Sequence, residues 1–226
     1  MERYNVEGSP PWETRPALRP LTPVEFAQQA AAGAMILDTR LELSFGAAHV
    51  PGALSIWPNG LASFAGWFLP YDRPLLLVAE NSDLDLTVRK LARLGFDQIA
   101  GYLAGGMLSW HMAGKASASV AMLTVQELCR LLDSGTPVHI LDVRSEEEVR
   151  AAPLPDAQHI YVAHLPDRLG EIPRDRSIYV FCCSGMRSML GASILKRAGW
   201  QDVTVILGGL AGWSCLLYTS PSSRDS

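Results

Sequence analysis

The sequence predicts an α/β protein made of two copies of one unit, each a mainly parallel sheet flanked by helices. Short apolar runs alternate with segments of helical periodicity along the chain. The runs at 75–79 and 178–181 are nearly continuously apolar, which is typical of strands covered on both faces. In addition, segments of the first half recur in the same order about a hundred residues later.

Both copies begin with the same helix start. Thr22 is a good N-cap, Pro23 suits the first helical position, and Glu25 completes a capping box. Thr124 and Glu127 repeat this pattern in the second copy. The further matches pair 36–40 with 140–144, 48–53 with 152–157, 72–78 with 175–181, 88–96 with 192–200, and 103–110 with 206–213. So many matches in one order indicate an internal duplication.

The duplication sets the predicted domain boundaries. Residues 1–20 are polar and rich in proline, which is typical of a linker or an extended arm. We expect a first domain at 21–116 and a second at 117–213. After Trp213 the second copy loses its register, and 215–221 resembles a translated sequencing adapter, so we expect 214–226 to be a non-native tail. Met1 is equally compatible with an internal methionine of a longer fusion protein.

Composition narrows the class of protein. The chain has 226 residues, of which 48% are hydrophobic and 19% charged, and its net charge is −4, so we expect a soluble globular protein without nucleic-acid or membrane partners. No apolar run approaches the roughly 20 residues that span a bilayer. The N-terminal residues lack the apolar core of a signal peptide. Four irregularly spaced cysteines do not suit a disulfide scaffold, so a reducing cytoplasm is the expected location.

The segment that follows the apolar run at 178–181 has the composition of a reactive site. A polar loop opens with Cys182, bends at Gly185 and ends with Arg187, and a helical pattern then runs to Gly199. Unpaired amide groups and the dipole at a helix N-terminus favour negative charge, and Arg187 adds a full positive charge. Both features favour the thiolate of Cys182, which is the nucleophilic form. The alternative is a small buried residue that merely ends a strand.

Several motifs resemble those of the rhodanese sulfurtransferases. The loop matches that family's Cys-x-x-Gly-x-Arg, and the resemblance covers about 21–213. The other motifs are Asp-x-Arg at 38–40 and 142–144, His-x-Pro-Gly-Ala at 49–53, and Gly-Gly-x-x-x-Trp at 105–110 and 208–213. Phosphatase loops place five residues between Cys and Arg, whereas four separate Cys182 from Arg187, which disfavours a phosphatase or an arsenate reductase.

The resemblance implies that Cys182 and Arg187 are the catalytic residues. Cys182 would carry a persulfide sulfur in a double displacement. Arg187 would either orient the loop by bonding its carbonyls or bind an anionic donor. The implied substrate-binding residues are Cys183, Ser184, Gly185, Met186 and Ser188.

Two of these residues have a second interpretation. Ser188 could act only as the N-cap of the following helix. Cys183 either resolves the persulfide or lines the loop, and we do not predict a disulfide between adjacent cysteines. Gly185 is expected to supply a backbone angle that other residues resist.

The implied reaction moves a sulfane sulfur from thiosulfate or a low-molecular-weight persulfide to a thiol, cyanide or sulfite. The small, uncharged Cys183 and Ser184 favour the persulfide donor. The alternative is a non-catalytic relay module that accepts sulfur only from a partner. The chain also resembles the tandem rhodanese part of fusions with a metallo-β-lactamase-fold persulfide dioxygenase, so we expect such a domain as a fused or associated partner. Its metal-binding motif is absent from this sequence, and we predict no metal and no other cofactor.

The first copy is predicted to be inactive. Ala79 aligns with Cys182, and the carboxylates of Glu80, Asp83 and Asp85 would repel an anionic donor. Arg89 lies too far along the chain to replace the loop arginine. We therefore expect a structural role for this copy, which would pack against the second copy and form one wall of a cleft.

Residues shared by both copies are predicted to be structural. Asp142 and Arg144 recur as Asp38 and Arg40 in the copy that lacks the nucleophile, so ion pairs or helix-end hydrogen bonds are their expected use. Trp200 and Trp213 are expected to lie in the core.

Overall fold

A computed structural model describes residues 18–212, except for the side chain of Asn81. The expectations for residues 1–17, for Trp213 and for the tail at 214–226 lie outside the described residues. No described helix is long and apolar enough to cross a membrane.

Two five-stranded sheets with the same strand order confirm the predicted fold class. The first sheet has the order β1-β5-β4-β2-β3 and the second the order β6-β10-β9-β7-β8. The strands are β1 (Pro20–Leu21), β2 (Met35–Asp38), β3 (Leu54–Ser55), β4 (Leu75–Val78), β5 (Ile99–Leu103), β6 (Ala121–Thr124), β7 (His139–Asp142), β8 (Gln158–His159), β9 (Ile178–Phe181) and β10 (Val203–Leu207). All strand pairs of the second sheet are parallel. The central strands β4 and β9 coincide with the two apolar runs that predicted them.

Helices follow the strands in both copies. They are α1 (Pro23–Ala31), α2 (Glu42–Ala47), α3 (Leu61–Phe68), α4 (Leu84–Arg93), α5 (Gly106–Met112), α6 (Val125–Asp133), α7 (Glu146–Ala151) and α8 (Met186–Arg197). Two 3₁₀ segments occupy Asn81–Asp83 and Val162–Glu171. The predicted end of α8 is confirmed, because Gly199 follows the C-cap residue with a φ of +96°.

The capping boxes that begin both copies are confirmed. Thr22 caps α1 together with Glu25, and Thr124 caps α6 together with Glu127. Backbone hydrogen bonds from both threonines lower the pKa of Glu25 and of Glu127. The arm was expected to extend to residue 20, and the structure places Pro20 in strand β1, at the edge of the first sheet, where a missing N–H is tolerated.

The chain forms two compact units, and these units do not coincide with the two copies of the sequence repeat. Among the described residues, one unit contains 18–39 and 58–116, and the other contains 40–57 and 117–212. Helix α2 therefore belongs to the second unit. Within that unit, His49 exchanges two backbone hydrogen bonds of 2.9 Å with Ala118, and the amide of Ser55 donates to Ser193 Oγ at 3.2 Å.

The predicted structural role of the Asp-x-Arg motif is confirmed for Asp142 and Arg144. The two side chains are fully buried and form an ion pair of 2.6 Å between Asp142 Oδ2 and an Arg144 terminal nitrogen. The same guanidinium donates to the carbonyl of Ala152 at 2.9 Å, as Arg40 does to Ala48 at 2.8 Å. The pair thus ties the end of β7 to the end of α7.

Removing the arginine should destabilise the second unit strongly. Arg144→Met leaves the Asp142 carboxylate buried without its partner, which typically costs about 3–5 kcal/mol. The double variant Asp142→Leu/Arg144→Met should recover much of this loss, because it buries no charge. Urea unfolding of the three proteins measures the effect, and equal stability of wild type and Arg144→Met would contradict it.

Candidate functional site

The sulfur of Cys182 lies at the carboxyl edge of the second sheet. Cys182 directly follows the central strand β9 and is only 1% exposed. The amide of Gly185 donates to its Sγ at 3.1 Å. Sites of parallel α/β sheets form at this edge, at the carboxyl ends of the strands.

The backbone of the loop requires glycine at its bend. Gly185 has a φ of +120°, which side-chain-bearing residues rarely adopt, so the prediction for this position is confirmed. The turn brings the Gly185 amide back towards the sulfur and places Met186 at the first position of α8. The hydrogen bond between the Gly185 amide and Cys182 Sγ thus joins the two ends of the loop directly before the helix begins.

Three carbonyls of the loop are hydrogen-bonded to the segment 208–211. The amide of Leu210 donates to the Cys182 carbonyl at 3.0 Å, and that of Ala211 donates to the Cys183 carbonyl at 3.1 Å. The amide of Gly208 donates to the Ser184 carbonyl at 3.2 Å. In a trans peptide the next N–H points away from the carbonyl. The amides of residues 183–185 therefore point away from this segment, and that of Gly185 contacts the sulfur.

Gly209 allows this close approach. A Cβ at this position would lie 2.7 Å from the carbonyl carbon of Cys183 and closer still to the carbonyl oxygen of Cys182. Its φ of +43° also favours glycine. Sequence analysis noted the Gly-Gly pair as a motif and missed this positioning role. In the first copy, Gly106 has a φ of +57° and a Cβ there would meet nothing within 4 Å.

Arg187 forms a bidentate ion pair with Glu148. Its two terminal nitrogens each donate to one carboxylate oxygen at 2.6 Å. These contacts correct the expectation that the side chain bonds loop carbonyls, because the guanidinium fork fits a carboxylate better. The hydrogen bonds from Arg187 lower the pKa of Glu148 to about 2, and those to Glu148 raise the pKa of Arg187.

Glu148 is itself held by a third capping box, which sequence analysis missed. Its Oε2 accepts from the amide of Ser145 at 3.0 Å and from Ser145 Oγ at 2.9 Å. Ser145 is the N-cap of α7 and directly follows the buried Arg144. The pattern Ser-x-x-Glu was the available signal, and of the three consecutive glutamates it selects Glu148.

The remaining predicted substrate-binding residues differ in accessibility. Ser184 is exposed, whereas Cys183 and Met186 are half-buried. Ser188 is fully buried, and its Oγ has no hydrogen-bond partner among the described residues. The alternative of an N-cap at Ser188 is wrong, because Gly185 occupies the N-cap position and Ser188 lies in the first turn of α8. Binding of substrate by these residues stays a prediction.

The loop of the first copy has a different geometry. After β4 the chain forms a 3₁₀ turn at Asn81–Asp83 and then enters α4. Arg89 forms an ion pair of 2.8 Å with Asp85, and both side chains are exposed.

Two further points concern the predicted core tryptophan Trp200 and groups of side chains that could bind a metal ion. Trp200 is 4% exposed, which confirms its place in the core, and its Nε1 donates to Pro173 at 2.9 Å. Within 18–212, no three His, Cys, Asp or Glu side chains are arranged to hold a metal ion.

Gly209→Ala should disrupt the Cys182 loop. The new Cβ would collide with the backbone of Cys182 and Cys183, so the hydrogen bonds from 208–211 must break. We expect a lower urea midpoint and a several-fold faster alkylation of the buried Cys182, measured by peptide mass spectrometry. Gly106→Ala is the matched control, since it imposes about the same backbone strain of 1–2 kcal/mol without a collision. Identical behaviour of the two variants would contradict this geometry.

Glu148→Gln should remove a pH-dependent part of the stability. A carboxyl whose pKa is lowered to about 2 by folding contributes stability that is fully present above its usual value of 4.5. This contribution disappears as the pH falls from about 4.5 to about 2. The variant should therefore be less stable than wild type at pH 7, and the difference should shrink over that window.

Urea unfolding at several pH values tests this, with Glu147→Gln as a control that removes an exposed charge from the same helix. A constant difference between Glu148→Gln and wild type across the window would contradict the assignment.

Comparison of the sequence with known proteins identifies a protein family and several similar proteins. The family model of the rhodanese-like domain matches residues 22–113 and again 124–215. A sulfurtransferase of Allochromatium vinosum is 30% identical over 89 residues, which are 39% of this chain and 83% of that protein. A Bacillus subtilis protein named as a sulfur carrier, YrkF, is 31% identical over 104 residues, which are 46% of this chain and 56% of that protein.

Among solved structures, a thiosulfate sulfurtransferase of Pseudomonas aeruginosa is 24% identical with a TM-score of 0.39, and the match covers 84% of this chain and 41% of that one. With two matches to the family model, two parallel five-stranded sheets and a cysteine loop at the edge of the second, the chain belongs to the rhodanese family as a tandem of two rhodanese-like domains.

Proposed function

We propose that the protein is a sulfurtransferase that carries a sulfane sulfur on Cys182. The donor is thiosulfate or a low-molecular-weight persulfide, and the acceptor is a thiol, cyanide or sulfite. The observation that supports this most is the contact between the Gly185 amide and Cys182 Sγ, in a loop whose carbonyls are bonded elsewhere.

The chemistry is two sulfur displacements. The Cys182 thiolate attacks the outer sulfur of the donor, a bond forms between the two sulfurs, and the donor leaves as a thiolate or as sulfite. An acceptor then attacks the outer sulfur of the persulfide, and Cys182 leaves as a thiolate. The amides on the sulfur side of the loop would stabilise the negative charge that each step leaves on sulfur.

Arg187 acts in this proposal as a positioning residue. Its side chain is paired with Glu148, which supports a role in holding the start of α8 against α7. A role in binding an anionic donor is less favoured, because the positive charge of Arg187 is already paired with the Glu148 carboxylate.

The partner and the location rest on the sequence. A metallo-β-lactamase-fold persulfide dioxygenase, fused or associated, is our proposed partner, on the resemblance of the tandem alone. A cytoplasmic location is proposed because Cys129, Cys182 and Cys183 are all free thiols in the part of the chain that the structure describes.

A second candidate function is a relay module that receives sulfur only within a complex. The likeness to a protein named as a sulfur carrier favours it, although the chain covers just over half of that relative's length. The two functions differ in whether free small donors load the protein.

Intact-mass spectrometry after incubation with thiosulfate, or with glutathione persulfide, tests the proposal. We expect a mass gain of one sulfur atom that is lost in Cys182→Ser and retained in Cys183→Ser. The two cysteines are adjacent, so the second variant controls for general thiol reactivity. Loading that survives in Cys182→Ser would overturn the role of this residue. If neither free donor loads the wild-type protein, the result would contradict the sulfurtransferase and favour the relay module.

A further inference from the structure

A carboxylate from the first copy lies beside the cysteine loop. Glu42 is the first residue of α2, which belongs to the same compact unit as the loop. A Cβ placed on Gly185 would lie 3.8 Å from Glu42 Cγ. Since the Gly185 amide contacts Cys182 Sγ, the Glu42 side chain adjoins the backbone that holds the sulfur.

The surroundings of Glu42 leave its charge poorly compensated. Its side chain is half-buried, and Oε2 is shut off from solvent without a hydrogen-bond donor among the described residues. The residues before and after it, Leu41 and Leu43, are apolar and exposed. The effective dielectric constant around a carboxylate with one dehydrated oxygen is lower than around a fully solvated carboxylate. Its electrostatic interactions with nearby charges are therefore stronger.

The cation of the loop does not offset this charge. Arg187 is paired with Glu148, which balances one positive charge with one negative charge. Glu42 therefore adds a further negative charge next to the site. A molecule that reacts at Cys182 would be repelled if it were anionic and attracted if it carried a cation or an N–H donor.

We propose that Glu42 determines specificity for charge at the Cys182 site, favouring thiols with an ammonium or amide N–H near the sulfur over anionic thiols. This inference rests on the proposed sulfur transfer. In the discharge step the acceptor thiolate bonds to the outer sulfur of the persulfide, the bond from that sulfur to Cys182 Sγ breaks, and the electron pair stays on Cys182 as a thiolate. One sulfur moves from one thiolate to another, so no oxidant or reductant is needed.

A single-turnover discharge assay tests the proposal. The full chain is loaded with glutathione persulfide, desalted, and mixed with cysteamine, 2-mercaptoethanol or 3-mercaptopropionate, which are cationic, neutral and anionic at their free ends. Intact mass follows the loss of the extra sulfur. The three thiols differ in intrinsic reactivity, but comparing the rate ratios between protein variants cancels that difference.

We expect Glu42→Gln to lower the ratio of the cysteamine rate to the mercaptopropionate rate about three- to tenfold, the size expected for one nearby charge at partial screening. The effect should shrink with added salt. Glu42→Lys should lower the ratio further. Asp133→Asn, which removes an exposed charge at the end of α6, is the matched control and should leave the ratio unchanged.

Two results separate failure of this inference from failure of the proposed function. An unchanged ratio in both Glu42 variants, or an equal change in Asp133→Asn, would overturn the role of Glu42 while loading of Cys182 persists. No loading of wild-type protein would overturn the proposed sulfur transfer itself.

Discussion

The hydrogen bonds from segment 208–211 to the cysteine loop determine which way the loop's peptide groups point. They occupy the carbonyls of residues 182–184, so the amides that follow these carbonyls lie on the opposite side. Gly209 makes the contact possible, because a side chain there would meet the backbone of Cys182. Without this constraint, the same residues could present carbonyl oxygens to the sulfur, and a negative charge on sulfur would be destabilised.

A second set of contacts places the start of α8. The buried pair of Asp142 and Arg144 fixes the chain just after β7, and Ser145 then begins α7. The hydrogen bonds of that cap orient Glu148, and its carboxylate forms the ion pair with Arg187. The position of the loop's last residue therefore depends on core electrostatics as well as on the loop itself. Arg187 can therefore position the loop through Glu148 without contacting the sulfur.

Local features of this fold could be predicted from sequence, and contacts between distant segments could not. The caps at Thr22 and Thr124, the strand at 178–181 and the bend at Gly185 follow from short patterns with a local physical cause. The Ser-x-x-Glu pattern marks Glu148 as a capping residue, but nothing local identifies it as the partner of Arg187, 39 residues away. Glu42 was missed for the same reason, since it comes from the first copy yet belongs to the second unit. The alternative of an N-cap at Ser188 was wrong because the pattern does not show that glycine already fills that position.

A crystal structure of the protein loaded with persulfide would test the central claim most directly. The account predicts an additional sulfur on Cys182 Sγ, surrounded by the amides at the start of α8. The contacts of 208–211 with the loop carbonyls should be intact. An additional sulfur on Cys183, or one that faces the loop carbonyls, would contradict it.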